Sequence, residues 1–270
     1  MPASPDEVLA RLNLARAVAI EAGEITLKYF RRSVEVERKA DDSPVTVADR
    51  ESEQHIRRRV LAEFADDAFL GEEFPEQPGN SGFRWIVDPI DGTKSFIRGV
   101  PLYGTMVSVE RDARAIIGVV NFPPLGECAY AAKGQGAWLL RDGGEAERLR
   151  VNTVDRLSES LFVTTAVDSF DMIGRRDAFD RLQAASRVTR TWGDCYGYVL
   201  VASGRAEVMV DPVMNVWDAA ALQPIMEEAG GTFTDWKGNA TIHAGEGIAT
   251  NGHVLGEVLA ITRGLGSADD

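Results

Sequence analysis

The chain has 270 residues, 29 Lys and Arg against 42 Asp and Glu, a formal net charge of −13 and 44% hydrophobic residues. This length and apolar content exclude a disordered chain and suit a domain that buries about three quarters of its unfolded surface. The acidic balance excludes binding to nucleic acid or a membrane surface through a basic face, since both rest on Lys and Arg meeting phosphates.

Ser4 followed by Pro5 is a helix start signal. Val8, Leu9, Leu12, Ala15, Ala19, Ile20 and Leu27 keep helical spacing, which predicts an amphipathic helix over 5–30. Asp6, Glu7 and Arg11 interrupt the apolar run a signal peptide needs, so the expected compartment is the cytoplasm. VEVER, 34–38, alternates like a strand. A second helix is predicted over 46–64, with Val47, Ile56, Val60 and Leu61 apolar among charges. Short apolar runs follow at 68–71, 83–88, 105–110, 115–122, 127–134 and 136–140, punctuated by Gly, Pro and Asp. That grammar predicts an antiparallel meander.

After residue 150 the rhythm changes. Strands are predicted at SLFVTTA (160–166), RVTRTW (187–192), AEVMV (206–210) and GTFTD (231–235). Helices are predicted at 171–185, 195–204 and 216–229. Alternation of this kind predicts layered α/β structure. The expected organisation is one domain over 1–270, with an α+β half over about 1–150 and an α/β half over about 151–270. No run approaches the ~20 apolar residues of a spanning helix. Cys128 and Cys195 are too few for a disulfide framework. His55, His243 and His253 lack zinc-like spacing, so any metal is expected to be a hard one held by oxygen.

The chemistry concentrates in WIVDPIDGTKSF, residues 85–96. A strand ending in Asp88-Pro89-Ile90-Asp91 can bring two carboxylates to one point, as Mg²⁺ coordination needs. Gly92 permits close backbone approach. The amides of Gly92 and Thr93, opening a predicted short helix, can receive phosphate oxygens. Upstream, Glu72 and Glu73 follow the strand AFLG. Downstream, Asp218 starts a helix. Alone, each has an ordinary reading: a turn aspartate, a solvated pair, a helix-terminal carboxylate. Together, Glu72, Asp88, Asp91 and Asp218 make a nest that repels itself unless cations fill it.

KADDSPVTVADRESE, GEE, WIVDPIDGT and WDAAAL with EAGG behind it occur in that order. In this the chain resembles the inositol-monophosphatase-like, Mg²⁺-dependent phosphatases over nearly its whole length. The resemblance implies an αβαβα layered sandwich. It implies metal ligands at Glu72, Asp88, the backbone carbonyl of Ile90, Asp91 and Asp218, holding two Mg²⁺, with Glu72 also at a weaker third; Glu73 is less secure. It further implies a water-activating pair at Asp49 and Thr93, hydrogen-bonded to each other, a loop lysine at Lys39 beside the metals, and a homodimer.

The leaving group is read from RTWGDCYGYVLVASGRAEVMVDP, 190–212. Two carboxylates, Asp194 and Asp211, fall where the family holds the alcohol, and two negative charges suit an alcohol bearing an ammonium group. This pattern resembles the histidinol-phosphate phosphatase subgroup and implies hydrolysis of L-histidinol phosphate, with Trp192, Tyr196 and Tyr198 as candidate walls for the imidazole. The residues also admit a helix cap at Asp194 and a turn at Asp211. An inositol-directed or broad monophosphatase, and a non-catalytic metal-binding protein, remain as alternatives.

Overall fold

The computed structural model describes residues 3–33, 35–39 and 44–263. Helix α1 (Pro5–Leu27) opens with a reciprocal cap: Ser4 Oγ accepts the Glu7 amide at 3.3 Å, and Glu7 Oε2 accepts the Ser4 amide at 2.8 Å. It ends at Leu27 rather than at residue 30, and the chain then turns through Arg31, whose φ is +58°. Strand β1 (Val36–Arg38) pairs antiparallel with β2 (Pro44–Thr46). Val34 of the predicted strand and residues 40–43 of the KADDSPVTVADRESE motif lie outside the described residues. Thr46 caps α2 (Val47–Glu63), its hydroxyl accepting the Ala48 amide.

Strand β3 (Ala68–Gly71) pairs parallel with β4 (Phe83–Asp91), which leads through α3 (Thr93–Ile97) into β5 (Gly104–Arg111). Next come β6 (Arg114–Phe122), β7 (Glu127–Ala132), β8 (Gly136–Arg141) and β9 (Glu147–Arg148). From β4 onward each strand pairs antiparallel with the next, which is the predicted meander.

A second sheet has the order β11-β10-β12-β14-β13. In chain order its region holds β10 (Leu161–Val163), α4 (Val167–Met172), α5 (Arg176–Ala185), β11 (Val188–Arg190), α6 (Asp194–Ala202) and β12 (Val208–Asp211). It continues through α7 (Val216–Ala220), α8 (Leu222–Glu228), β13 (Thr232–Thr234), β14 (Gly247–Thr250) and α9 (Leu255–Arg263). The predicted helix 171–185 is two helices, broken where Gly174 takes φ +67°. The predicted helix 216–229 is α7 and α8, meeting at Ala221.

Strand alternation explains the layering. On β4, Trp85 and Val87 pack with Leu12, Ala15, Val18 and Ala19 of α1 and with Ile56 and Val60 of α2. Ile86, between them, points the other way, into a core shared with Val199 of α6 and with Leu222, Ile225 and Met226 of α8. On β12, Met209 joins that same central core, whereas Val208 and Val210 face Phe170, Phe179, Leu182 and Val258 of the outer helices. Side chains of period two therefore give each sheet two buried faces. The result is helix, sheet, helix, sheet, helix, the expected αβαβα sandwich. Among the described residues no helix is long and apolar enough to cross a membrane. Both cysteines are buried and unpaired.

Candidate active site

Pro89 has no N–H to give to a sheet, and the ladder slips beside it. Asp88 pairs with Met106 and Asp91 with Gly104, so β4 carries one extra residue there. In a regular strand, residues three apart face opposite sides. The bulge cancels this and turns both aspartates to one side. The Ile90 amide donates to Asp88 Oδ1 at 2.9 Å, and Thr105 Oγ donates to the Pro89 carbonyl at 3.0 Å, which fix the bulge.

Asp218 arrives from α7, where its Oδ2 accepts the Asn215 amide at 2.7 Å. Its role at the helix N-terminus and its place in the cluster are thus compatible. Asp88, Asp91 and Asp218 offer carboxylate oxygens that all lie within 4.8 Å of one another. Burial, then Glu72, Asp91 and Asp218, push the Asp88 carboxyl well above its ordinary range. Burial, then Asp194 and Asp218, do the same to Asp91. Burial pushes Asp218 up to about 7. Groups forced together this way bind protons or cations in preference to standing bare. The set is all oxygen, buried and convergent, which suits a hard divalent cation, and it could hold a metal ion.

Glu72 is not part of that triad, although it lies against Asp88. Lys39 Nζ donates to Glu72 Oε1 and to Glu73 Oε1, both at 2.7 Å. Burial opposes its charge, but these two carboxylates outweigh burial and raise the Lys39 pKa. The loop carrying Glu72 and Glu73 has an anchor that sequence reading missed. Glu53, fully buried on α2, accepts the amides of Glu73 at 2.7 Å and Phe74 at 3.2 Å. Burial lifts its pKa to about 7. The available signal was its spacing from Asp49, four residues on and so on the same helix face.

Asp49 and Thr93 depart from expectation. Asp49 Oδ2 accepts both the amide and the hydroxyl of Thr46, at 2.8 and 2.6 Å. Asp49 Oδ1 is buried without a hydrogen-bond partner. Burial brings the Asp49 pKa to about 7. Thr93 Oγ donates to the Ile90 carbonyl at 3.1 Å. Among the described residues the expected Asp49–Thr93 hydrogen bond is absent: the Thr93 hydroxyl proton goes to the Ile90 carbonyl, while Asp49 Oδ1 stays without a partner.

Gly92 stands at φ +83°, and a Cβ there would lie 2.9 Å from Asp194 Oδ2. Gly92 and Thr93, at the start of α3, line a cleft of about 400 Å³ together with Glu72, Asp88, Asp91, Asp194 and Asp218. A smaller cavity of about 80 Å³ adjoins it, bounded by Asp194, Asp211, Tyr198 and Met214. Gly193, not Asp194, is the cap residue of α6, and Asp194 is the first residue of the helix. Burial, then Asp211 and Asp218, bring its pKa to about 7. Asp211 is buried, with both oxygens accepting hydrogen bonds from the protein. Of the three aromatic residues considered, Tyr198 lines the small cavity, Tyr196 packs edge-on against Phe122, and Trp192 is exposed.

Comparison with known proteins gives consistent matches over nearly the full chain. The profile described as Inositol monophosphatase family matches residues 8–265. A histidinol-phosphatase of Chlorobaculum parvum is 45% identical over 259 residues, covering 96% of this chain and 98% of that protein. A histidinol-phosphatase of Mycobacterium tuberculosis is 37% identical, covering 92% of this chain and 96% of its own length. An inositol monophosphatase structure from Zymomonas mobilis superposes with a TM-score of 0.83 at 32% identity, covering 97% of this chain and 100% of that one.

Proposed function

The chain belongs to the inositol monophosphatase family and is a phosphoric monoester hydrolase, and we propose that its substrate is L-histidinol phosphate, cleaved to L-histidinol and phosphate with Mg²⁺. The observation that carries the reading is the Asp194 carboxylate, which lines the cleft beside the acid cluster while Gly193 takes the cap position of α6. An inositol ring presents only hydroxyl groups and has no need of such a charge. The histidinol moiety presents an ammonium, which a carboxylate holds by charge-assisted hydrogen bonds. Similarity to histidinol-phosphatases supports the same reading.

On this reading Glu72, Asp88, the Ile90 carbonyl, Asp91 and Asp218 would hold two Mg²⁺, with Glu72 contributing to a third. When bound, the ions supply Lewis acidity, making water acidic near neutral pH and offsetting charge on the phosphoryl and leaving oxygens. The chain's own groups do the rest. The Gly92 and Thr93 amides donate to phosphoryl oxygens at the start of α3. The Thr93 hydroxyl and the free Oδ1 of Asp49 take part in orienting the attacking water and receiving its proton. Lys39 keeps Glu72 and Glu73 aligned at the rim. The water's oxygen forms the new bond to phosphorus as the bond to the alcohol oxygen breaks, and a proton goes to that leaving oxygen. The reading carries with it the homodimer and the cytoplasmic location expected from the sequence.

Phosphate release from L-histidinol phosphate by the purified protein, with Mg²⁺ and with a chelator, tests the proposal. Release that depends on Mg²⁺ supports it; no release from that ester overturns it.

A further inference from the structure

Four hydrogen bonds converge on the Asp211 carboxylate, and all four come from the protein. Its Oδ1 accepts the Thr165 amide at 2.9 Å and the Thr164 hydroxyl at 3.3 Å. Its Oδ2 accepts the Thr165 hydroxyl at 3.0 Å and the Tyr198 hydroxyl at 3.2 Å. One carboxylate thus grips Thr165 at both its amide and its side chain. A hydroxyl has a single proton. With that proton donated to Asp211, Thr165 Oγ is left as an acceptor, and it accepts the Asp194 amide at 2.8 Å.

That amide belongs to a residue in an uncommon conformation. Asp194 has φ +52°. The region is uncommon for a residue with a Cβ, and Asp enters it more readily than most. Two further contacts hold Asp194 there. Gly193 packs directly on Thr165, where a Cβ would meet Thr165 Cα at 2.1 Å. The next amide, that of Cys195, donates to Asp91 Oδ2 at 2.6 Å. The left-handed backbone carries the Asp194 side chain to the floor of the cleft beside Gly92.

We infer that Thr165 is the positioning residue of the selectivity pocket: Asp211 orients its hydroxyl, and that hydroxyl holds the Asp194 backbone in the form that aims its carboxylate at the alcohol part of the substrate. The inference rests on the proposed reading of Asp194 as the ammonium acceptor. It gives Asp211 a role through Thr165. Removing the Thr165 hydroxyl leaves the Asp194 amide unpaired and takes one donor from Asp211. Asp194 then relaxes toward negative φ, and its carboxylate leaves the cleft.

The experiment is the ratio of kcat/KM for L-histidinol phosphate to kcat/KM for glycerol 2-phosphate, a neutral-alcohol ester, in wild type, Thr165→Val, Thr165→Ser, Asp194→Asn and the Val/Asn double variant. Loss of one buried hydrogen bond to a positioned group predicts a fall of about tenfold or more in this ratio for Thr165→Val. The fall lies mainly in KM for the amine ester. Thr165→Ser, which keeps the hydroxyl, restores the ratio to within about threefold. The double variant falls no further than Asp194→Asn, because the two residues act as one unit. A ratio unchanged in Thr165→Val but collapsed in Asp194→Asn overturns the positioning role and leaves the substrate reading standing. An unchanged ratio in Asp194→Asn overturns the substrate reading, and the positioning role with it. Should Thr165→Val fail to fold, Thr165→Cys reads the same ratio: a weak S–H donor gives a fall, and an undiminished ratio overturns the inference.

Discussion

Asp91 Oδ2 accepts the backbone N–H of Cys195 at 2.6 Å. A member of the acid cluster on β4 thereby holds the first turn of α6, which carries Asp194. The group expected to bind a cation and the segment expected to select the alcohol are one mechanical unit, joined across the two sheets. Asparagine at position 91 keeps an oxygen to accept that N–H but loses the charge. Asp91→Asn is predicted to lower kcat by about 10³-fold, about 4 kcal/mol of barrier, through loss of cation charge balance. The metal-free variant unfolds no more easily than wild type, since one crowded carboxylate is gone. Steady-state kinetics and thermal unfolding of the chelated protein check both halves.

Asp49 has one oxygen occupied by Thr46 and the other buried without a partner. Removing its charge is predicted to cost about 10²- to 10⁴-fold in kcat, the usual span for a positioned proton acceptor. KM changes little. The check is a pH–rate profile of Asp49→Asn against wild type, in which the variant loses the ascending limb belonging to this carboxylate.

Glu53 holds the Glu72–Glu73 loop by accepting two backbone amides. Gln in its place can accept one of them, leaving the other buried donor unsatisfied at ~1–3 kcal/mol. Glu53→Gln is predicted to weaken Mg²⁺ binding by roughly tenfold, measured directly by calorimetry or by the shift of melting temperature with Mg²⁺. Unaltered affinity contradicts the anchoring role.

Acidity gives a further test on the metal-free protein. Burial raises Glu53 from 4.5 to about 7 and Asp49 from 3.8 to about 7. Between the unfolded and folded values the native state holds protons the unfolded chain has released. Stability from these groups is therefore full below about pH 4 and is lost as pH rises through about 7. In chelator the melting temperature is predicted to fall from pH 5 to pH 8, with Mg²⁺ stabilising more at pH 8 than at pH 5. A melting temperature that rises over that range in chelator contradicts the assignment.

The parts of this site legible in the sequence were those in which one residue type had one demanding job. Asp88, Asp91 and Gly92 were readable because a strand ending in D-P-I-D-G combines a missing donor, two carboxylates and a left-handed turn. The bulge that aligns the two aspartates was not, since it depends on pairing with β5. Helix breaks at Gly174 and Ala221 were hidden because the apolar spacing runs through them. β14 is hidden because GIAT is short and its burial comes from neighbours on both sides. The Asp49–Thr93 bond is not made because the single Thr93 hydroxyl proton goes to the Ile90 carbonyl, a local choice that residue types alone do not reveal. The four hydrogen bonds to Asp211 come from Thr164, Thr165 and Tyr198, on other segments, and pattern alone does not reveal them.

The central claim is that a phosphomonoesterase site selects an amine-bearing alcohol through Asp194. The most direct measurement is kcat/KM for L-histidinol phosphate and for inositol 1-phosphate, side by side at saturating Mg²⁺. The account predicts at least ~100-fold preference for histidinol phosphate, about 2.7 kcal/mol of discrimination. Equal rates, or a preference for the inositol ester, contradict it.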